Sequence, residues 1–290
     1  FAVSYNRPFL NRGDPSTQNM QYNYLSYFFA TEYPMVRWLE ANGYDVSYFT
    51  DVDADRNGSL IPNHKIDLSV GHDEYWSGNE FNNVMAARDA GVNLAFFSGN
   101  EVFWKTRYAN SIDGSNTTDR TLVCYKETHF NAVTDPADPP TWSGTWEDLR
   151  FSPPADGGLN PNQLTGTYFT INSGTGSPFG APMTVPGTDA NLRFWRNTAI
   201  AQLASNQSMN IGDQVLGPEW DEDVDNGSRP AGLIDLSSTT QDVSGKFVDY
   251  GNVTAPASAT HSLTLYRASR GALVFGAGTL EWPWGLDGDH

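Results

Sequence analysis

The stretch that most limits what this chain can fold into is Val92 to Ser98, VNLAFFS, a near-continuous apolar run. Such a run suits a strand covered on both faces. Before it, Asn79 to Ala90 reads as a short amphipathic helix and Lys65 to Val70 as another strand, with Gly71 ending it. Tyr44 to Thr50 (YDVSYFT) alternates like a strand as well. It follows a helical region, Tyr24 to Asn42, that carries Leu25, Phe28, Phe29, Met35, Val36 and Leu39 near helical spacing. Pro34 opens the second half of that helix behind a Thr31 cap, and Gly43 stops it. The chain begins on a strand, Phe1 to Tyr5, that ends at Arg7-Pro8, and a polar loop covers Asn11 to Asn23.

Strand, helix, strand, strand, helix, strand is the rhythm of a parallel sheet with crossovers. The expected fold is therefore α/β, with a mainly parallel sheet of the Rossmann-like, flavodoxin-like or glutamine-amidotransferase-like kind. An irregular or β-rich insertion is expected around 128–190, because Asp135 to Gly187 is rich in Pro, Gly, Thr and Asp with little beyond Leu164 to Ile171 to form an element. Ser262 to Arg267 and Ala272 to Phe275 read as adjacent strands returning to the core, and Gly276 to Thr279 as the turn leaving it. At 290 residues the chain is expected to be one α/β domain, 1–290, cut from a longer multidomain protein.

Lys and Arg total 17 against 34 Asp and Glu, a net charge of -17 that disfavours a phosphate backbone or an anionic lipid surface. No apolar run reaches the length of a membrane span, so neither nucleic acid nor membrane is an expected partner. The single cysteine, Cys124, rules out an internal disulfide and a thiolate cluster and sits in a strand-like run where it reads as a small hydrophobe. Few lysines, many Asn, Ser and Thr, and several Asn-x-Ser/Thr triplets give the chain an extracellular style, and secretion is the expected location.

The chemistry concentrates at Gly71-His72-Asp73-Glu74-Tyr75-Trp76, an imidazole and two carboxylates at a strand's carboxyl end, where open α/β sheets present their ligand crevice. A second polar loop, Ser98-Gly99-Asn100-Glu101, follows the next strand, so His72, Glu74 and Asn100 are expected to converge. The plain alternative is that His72 and Glu74 only cap the next helix. Glu219, between Pro218 and Trp220, is a further candidate carboxylate, whereas Asp221 to Asp225 reads as a charged surface turn. Trp282-Pro283-Trp284 reads as core packing.

Other motifs fall away. Asp53-x-Asp55-x-Asn57-Gly58 opens like a calcium loop, but its twelfth position is His64, and a solvated acidic loop is expected. There is no Gly-x-Ser-x-Gly elbow, and no Gly-x-Gly-x-x-Gly follows the first strand, so no nucleotide cofactor is expected.

The chain resembles the C-terminal domain of the N,N-dimethylformamidase large (β) subunit and the domains named after it. The likeness runs through Val3 to Pro8, Arg37 to Glu40, Gly43 to Val46, Asp51 to Asp53, GHDEYW, Ala87 to Phe97, Asn100 with Trp104, Leu122 to Lys126, and Gly276 to Leu286. The resemblance implies a hydrolase acting on a C–N amide bond at a ferric iron held by two tyrosine phenolates and a glutamate. On this chain it implies Glu74 and Tyr5 as metal ligands, with Tyr33 the other positional candidate for a phenolate. It implies His72 as acid/base, Asn100 as the group orienting substrate or water, and Glu219 as the second carboxylate. Asp73 stands where the amidase is expected to have proline, and a different divalent or trivalent ion suits Glu74 with His72 equally. Two other readings are open: a carbohydrate-processing enzyme using Glu74 and Glu219 as acid and base, and a non-catalytic sugar- or calcium-binding module of a larger extracellular protein. The expected substrate is a small molecule or a carbohydrate.

Overall fold

The computed structural model describes residues 1–6, 28–129, 133–150, 159–172 and 181–287. The Arg7-Pro8 stop, the Asn11–Asn23 loop and the helix start at Tyr24 lie outside them. The chain opens on β1 (Ala2–Ser4). A wide helical turn, Phe28–Glu32, leads into α1 (Tyr33–Ala41), which has Pro34 in its first turn and ends at Gly43 with φ +69°. Next come α2 (Asp51–Asn57), β2 (Ile66–His72), β3 (Tyr75–Ser77), α3 (Gly78–Ala90), β4 (Asn93–Gly99), β5 (Trp104–Ala109) and β6 (Thr121–Val123). A short α4 (Asn162–Thr165) precedes β7 (Tyr168–Asn172), β8 (Ala181–Pro186), β9 (Ser208–Leu216) and β10 (Glu219–Glu222). The remainder is β11 (Ile234–Asp235), β12 (Thr239–Val248), β13 (Val253–His261), β14 (Thr264–Arg267) and β15 (Leu273–Gly276). Among the described residues no helix is long and apolar enough to cross a membrane.

This architecture corrects the expected mainly parallel α/β sheet. The sheets run β11-β14-β15-β4-β2, β1-β6-β5-β3, β10-β7-β12-β13 and β8-β9. Among the described residues only β2–β4, β4–β15 and β3–β5 pair in parallel, and every other pair is antiparallel. The fold is mostly β, with mixed and antiparallel sheets. The local β2–α3–β4 crossover exists as expected, but it is not repeated. Tyr44 to Thr50 forms no strand and has no ladder partner among the described residues, and Tyr44, Tyr48 and Phe49 are left exposed.

The expected acidic loop at Asp53 to Gly58 is also corrected, since most of it is helix α2. Thr50 Oγ1 accepts the Asp53 N–H at 3.3 Å, and Asp53 accepts the Thr50 N–H at 3.1 Å, a reciprocal cap that starts a helix. Ser77 and Glu80 make the same box at α3, which ends at Gly91 in the left-handed region. Phe81, Val84 and Ala87 then face one way and pack with Trp76, Leu94, Phe96, Trp146 and Val274 as one core. A second core gathers Ile171, Met183, Trp220, Leu236, Leu263 and Ala277. Trp282 seals it, stacked on Phe97 at 5.9 Å and tilted against Phe275 at 5.4 Å, so the Trp282-Pro283-Trp284 turn packs core.

The interior also holds acids. Asp221 is fully buried, Glu281 is 4% exposed, and one oxygen of Glu281 has no hydrogen-bond partner among the described residues. Burial pushes Asp221 to about 7 and Glu281 to about 8; burial likewise raises Asp51 to about 7 and Glu32 to about 8, each with neighbouring acids adding to it. An acid whose folded pKa exceeds its unfolded value keeps its proton longer in the folded state. Its contribution to stability is full below the unfolded pKa and is lost as pH rises through the folded value. Buried His261, pulled down to about 4, works in the opposite sense only below the ordinary histidine range. The expected outcome is a Tm that falls as pH is raised from about 6.5 to about 8.5. Differential scanning calorimetry checks this, and Glu281→Gln, which keeps the shape and removes the titrating proton, flattens the slope.

Candidate functional site

The site forms where the chain leaves one sheet for another. β2 does not end at Gly71, as its glycine suggested; it continues to His72, which lies opposite Gly99 of β4. Gly71 is required for a different reason. Its φ is +82°, and a Cβ there would lie 2.7 Å from Thr31 Oγ1. Asp73 and Glu74 then bridge to β3, which belongs to the neighbouring sheet. The segment after β4 locks this bridge in place. Val102 N–H donates to the Asp73 carbonyl at 3.0 Å, and Phe103 and Trp104 N–H both donate to the Glu74 carbonyl, at 3.0 and 2.8 Å. To make these bonds, Asn100 and Val102 take φ of +51° and +52°, left-handed values that a β-branched residue rarely adopts.

The side chains meet around one ring nitrogen. His72 Nε2 lies 3.0 Å from Glu219 Oε2, 3.5 Å from Glu74 Oε2 and 3.2 Å from Asn100 Nδ2. Asn100 Nδ2 donates to the same Glu219 oxygen at 3.1 Å, and Asn100 Oδ1 is buried without a partner among the described residues. Burial alone would lower the His72 pKa, but Glu219, Glu74 and Glu32 more than offset it and raise it to about 9. Glu74 is itself raised by burial; His72 opposes that shift and Glu219 adds to it.

A cavity of about 420 Å³ opens on this cluster. His72, Asp73 and Glu74 line it together with Asp51, Tyr5, Tyr75 and Lys126. Asn100 and Glu219 are not on that wall and meet it through His72. Tyr5 is therefore placed with Glu74 on one cavity, its phenol pushed up to about 12 by burial and by Asp51. Tyr33 is not on the wall: it is exposed and packs on Phe28 and Phe29. Lys126 lies over the Trp104 ring at 4.4 Å and the Tyr75 ring at 5.4 Å. Cys124, on the same wall, has its Sγ 3.6 Å from the Ser143 carbonyl, and its thiol is raised to about 11 by burial. Among the described residues no group of three or more His, Cys, Asp and Glu side chains is arranged to hold a metal ion.

Sequence reading missed two members. Asp51 was hidden by the calcium-like spacing beside it. Asp221, expected on a charged surface turn, is fully buried: Oδ1 accepts the Asn100 backbone N–H at 3.0 Å and Oδ2 the Thr167 hydroxyl at 2.8 Å. One strand, β10, thus grips Asn100 twice, Glu219 at its side chain and Asp221 at its main chain. The available signal was the Glu-Trp-Asp alternation of a strand, with Trp220 on the opposite face in the core.

On this mixed β scaffold an imidazole thus meets two carboxylates at a cavity wall. The chain belongs to the family described as N,N-dimethylformamidase beta subunit-like, C-terminal, whose profile matches residues 1–290. At that coarse level the family is one of dimethylformamidase-like hydrolases. No curated protein matches the chain.

Asp221→Ala removes the acceptor of two buried donors and is expected to cost about 2 kcal/mol, each unsatisfied group being worth about 1–3 kcal/mol. Asp221→Asn keeps an acceptor for Asn100 and is expected to stay near wild type. Urea denaturation of the two variants checks the difference.

Proposed function

We propose that the chain hydrolyses the C–N bond of a small-molecule carboxamide at the cavity lined by His72 and Glu74. The observation that carries this reading is the placement of His72 Nε2 within reach of Glu219 and Glu74 on the wall of a cavity. Its flanking carboxylates hold the imidazole protonated at neutral pH, ready to act as an acid. Water adds its oxygen to the acyl carbon and gives up its proton to the carboxylate cluster around His72. The C–N bond breaks as His72 delivers a proton to the departing amine nitrogen. Glu219, to which Asn100 Nδ2 also donates, holds the imidazolium in place from behind.

The family resemblance adds a metal to this proposal. Tyr5 and Glu74 lie on one cavity, and a phenol and a carboxylate are hard oxygen donors of the kind that suit ferric iron. By the family resemblance Tyr5 and Glu74 are the residues that would hold the ion, whereas Tyr33 is exposed and off the cavity wall. When bound, it would supply Lewis acidity to a carbonyl oxygen and to water.

His72→Gln is expected to lower kcat for formamide hydrolysis about 10²- to 10⁴-fold while the fold survives, as measured by amine release. Unchanged turnover would remove His72 from the chemistry. Elemental analysis of purified protein tests the metal: Glu74→Ala is expected to lose stoichiometric iron, and equal metal content in wild type and variant would end that part of the proposal.

A further inference from the structure

The cavity has a second wall that the chemistry above does not use. Phe1, Val3 and Tyr5 all line it, and so do Leu122, Cys124 and Lys126. Phe1, Val3 and Tyr5, and Leu122 with Cys124, are spaced by two residues, the period that puts side chains on one face of a strand, and Lys126 follows in the left-handed region with φ +49°. The two strands are paired: Val3 lies opposite Leu122 in the β1–β6 ladder, and the Cys124 N–H donates to the Phe1 carbonyl at 2.9 Å. The wall is therefore the β1–β6 edge ribbon of the four-stranded sheet, presenting Phe1, Val3 and Leu122 as an apolar strip beside buried Cys124, with Tyr5 at one end and Lys126 at the other. Val3 is 42% exposed and Leu122 half-buried, while Cys124 lies buried in the core behind them. Tyr75, next in sequence to Glu74, adds a ring on the same cavity.

Resting on the amide-hydrolase reading, we infer that the substrate class is a carboxamide bearing an extended apolar substituent of four or more carbons, which lies along this ribbon while its C–N bond meets His72 and Glu74. An amide substituted with methyl groups alone would reach the polar residues and leave the ribbon wet. A cavity of about 420 Å³ is in the range of about 300–1,000 Å³ that encloses larger organic ligands. Apolar contact in such a cavity is non-directional and grows with the area removed from water, so its signature is a dependence on chain length.

The test uses the full chain and a series of N-alkylformamides from methyl to hexyl. The expected result is a kcat/KM that rises about fourfold per methylene up to four carbons, the gain set by burying each CH₂. In Leu122→Ala the slope of log kcat/KM against chain length falls, and Val3→Ser gives the same reading if the first variant does not fold. A flat series, a maximum at methyl, or an unchanged slope in both variants overturns the inference. Calorimetric binding of the same compounds separates it from the hydrolase reading. If no formamide is cleaved while affinity still climbs with chain length, the amide-hydrolase reading fails and the ribbon stands as the apolar subsite. If affinity is flat, the ribbon proposal fails whether or not cleavage occurs.

Discussion

Three backbone N–H groups, those of Val102, Phe103 and Trp104, hold the carbonyls of Asp73 and Glu74, and the site rests on this interlock. A strand leaving one sheet for another must place its linking peptides somewhere, and buried carbonyls without partners are costly. The bonds solve that problem and fix the position of the Glu74 backbone to within hydrogen-bond tolerance. They also impose the left-handed conformation on Asn100 and Val102. The strain persists because the surrounding contacts over-determine it, with Asp221 holding the Asn100 N–H from the far side.

The same interlock explains how so many carboxyl groups coexist around one imidazole. Glu32, Glu74 and Glu219 all act on His72, and a charged imidazolium in a partly dehydrated pocket lowers the cost of the carboxylates near it as they lower the cost of its charge. Farther in, Ser69 Oγ lies 2.7 Å from Asp73 Oδ2 and 3.1 Å from Glu101 Oε1, and the pKa values of both acids are raised, chiefly by burial. A single hydroxyl proton cannot serve both acids at once.

The fold was only partly legible because the informative signals were local and the architecture was not. The β2–α3–β4 crossover could be read from an apolar run, a helix box and a glycine stop, since each depends on neighbours in sequence. The antiparallel remainder depends on pairings such as β10 with β7, joined by a long segment whose Pro, Gly and Thr content gives no periodicity. Tyr44 to Thr50 shows the converse failure. Its alternation is real, but a strand exists only where a neighbour accepts its hydrogen bonds. Asp221 shows why a run of acids is ambiguous: Asp223 pairs with Arg229 near the surface while Asp221, two residues earlier, has no exposure at all.

By itself the sequence determined the chemical alphabet of the site. The His-x-Glu spacing, the Asn after the following strand and the Glu beside Trp220 are fixed by covalent order, and local strand geometry brings His72 and Asn100 to neighbouring strand ends. Only the tertiary structure decided that Glu219, far away in the chain, closes on the same nitrogen and that Asp221 turns inward to hold Asn100. It also decided that Tyr5 shares a cavity with Glu74 while Tyr33 does not. The physical reason is that these contacts are set by the packing of three sheets against one another, and sheet pairing over long separations leaves no mark in the periodicity of any one segment.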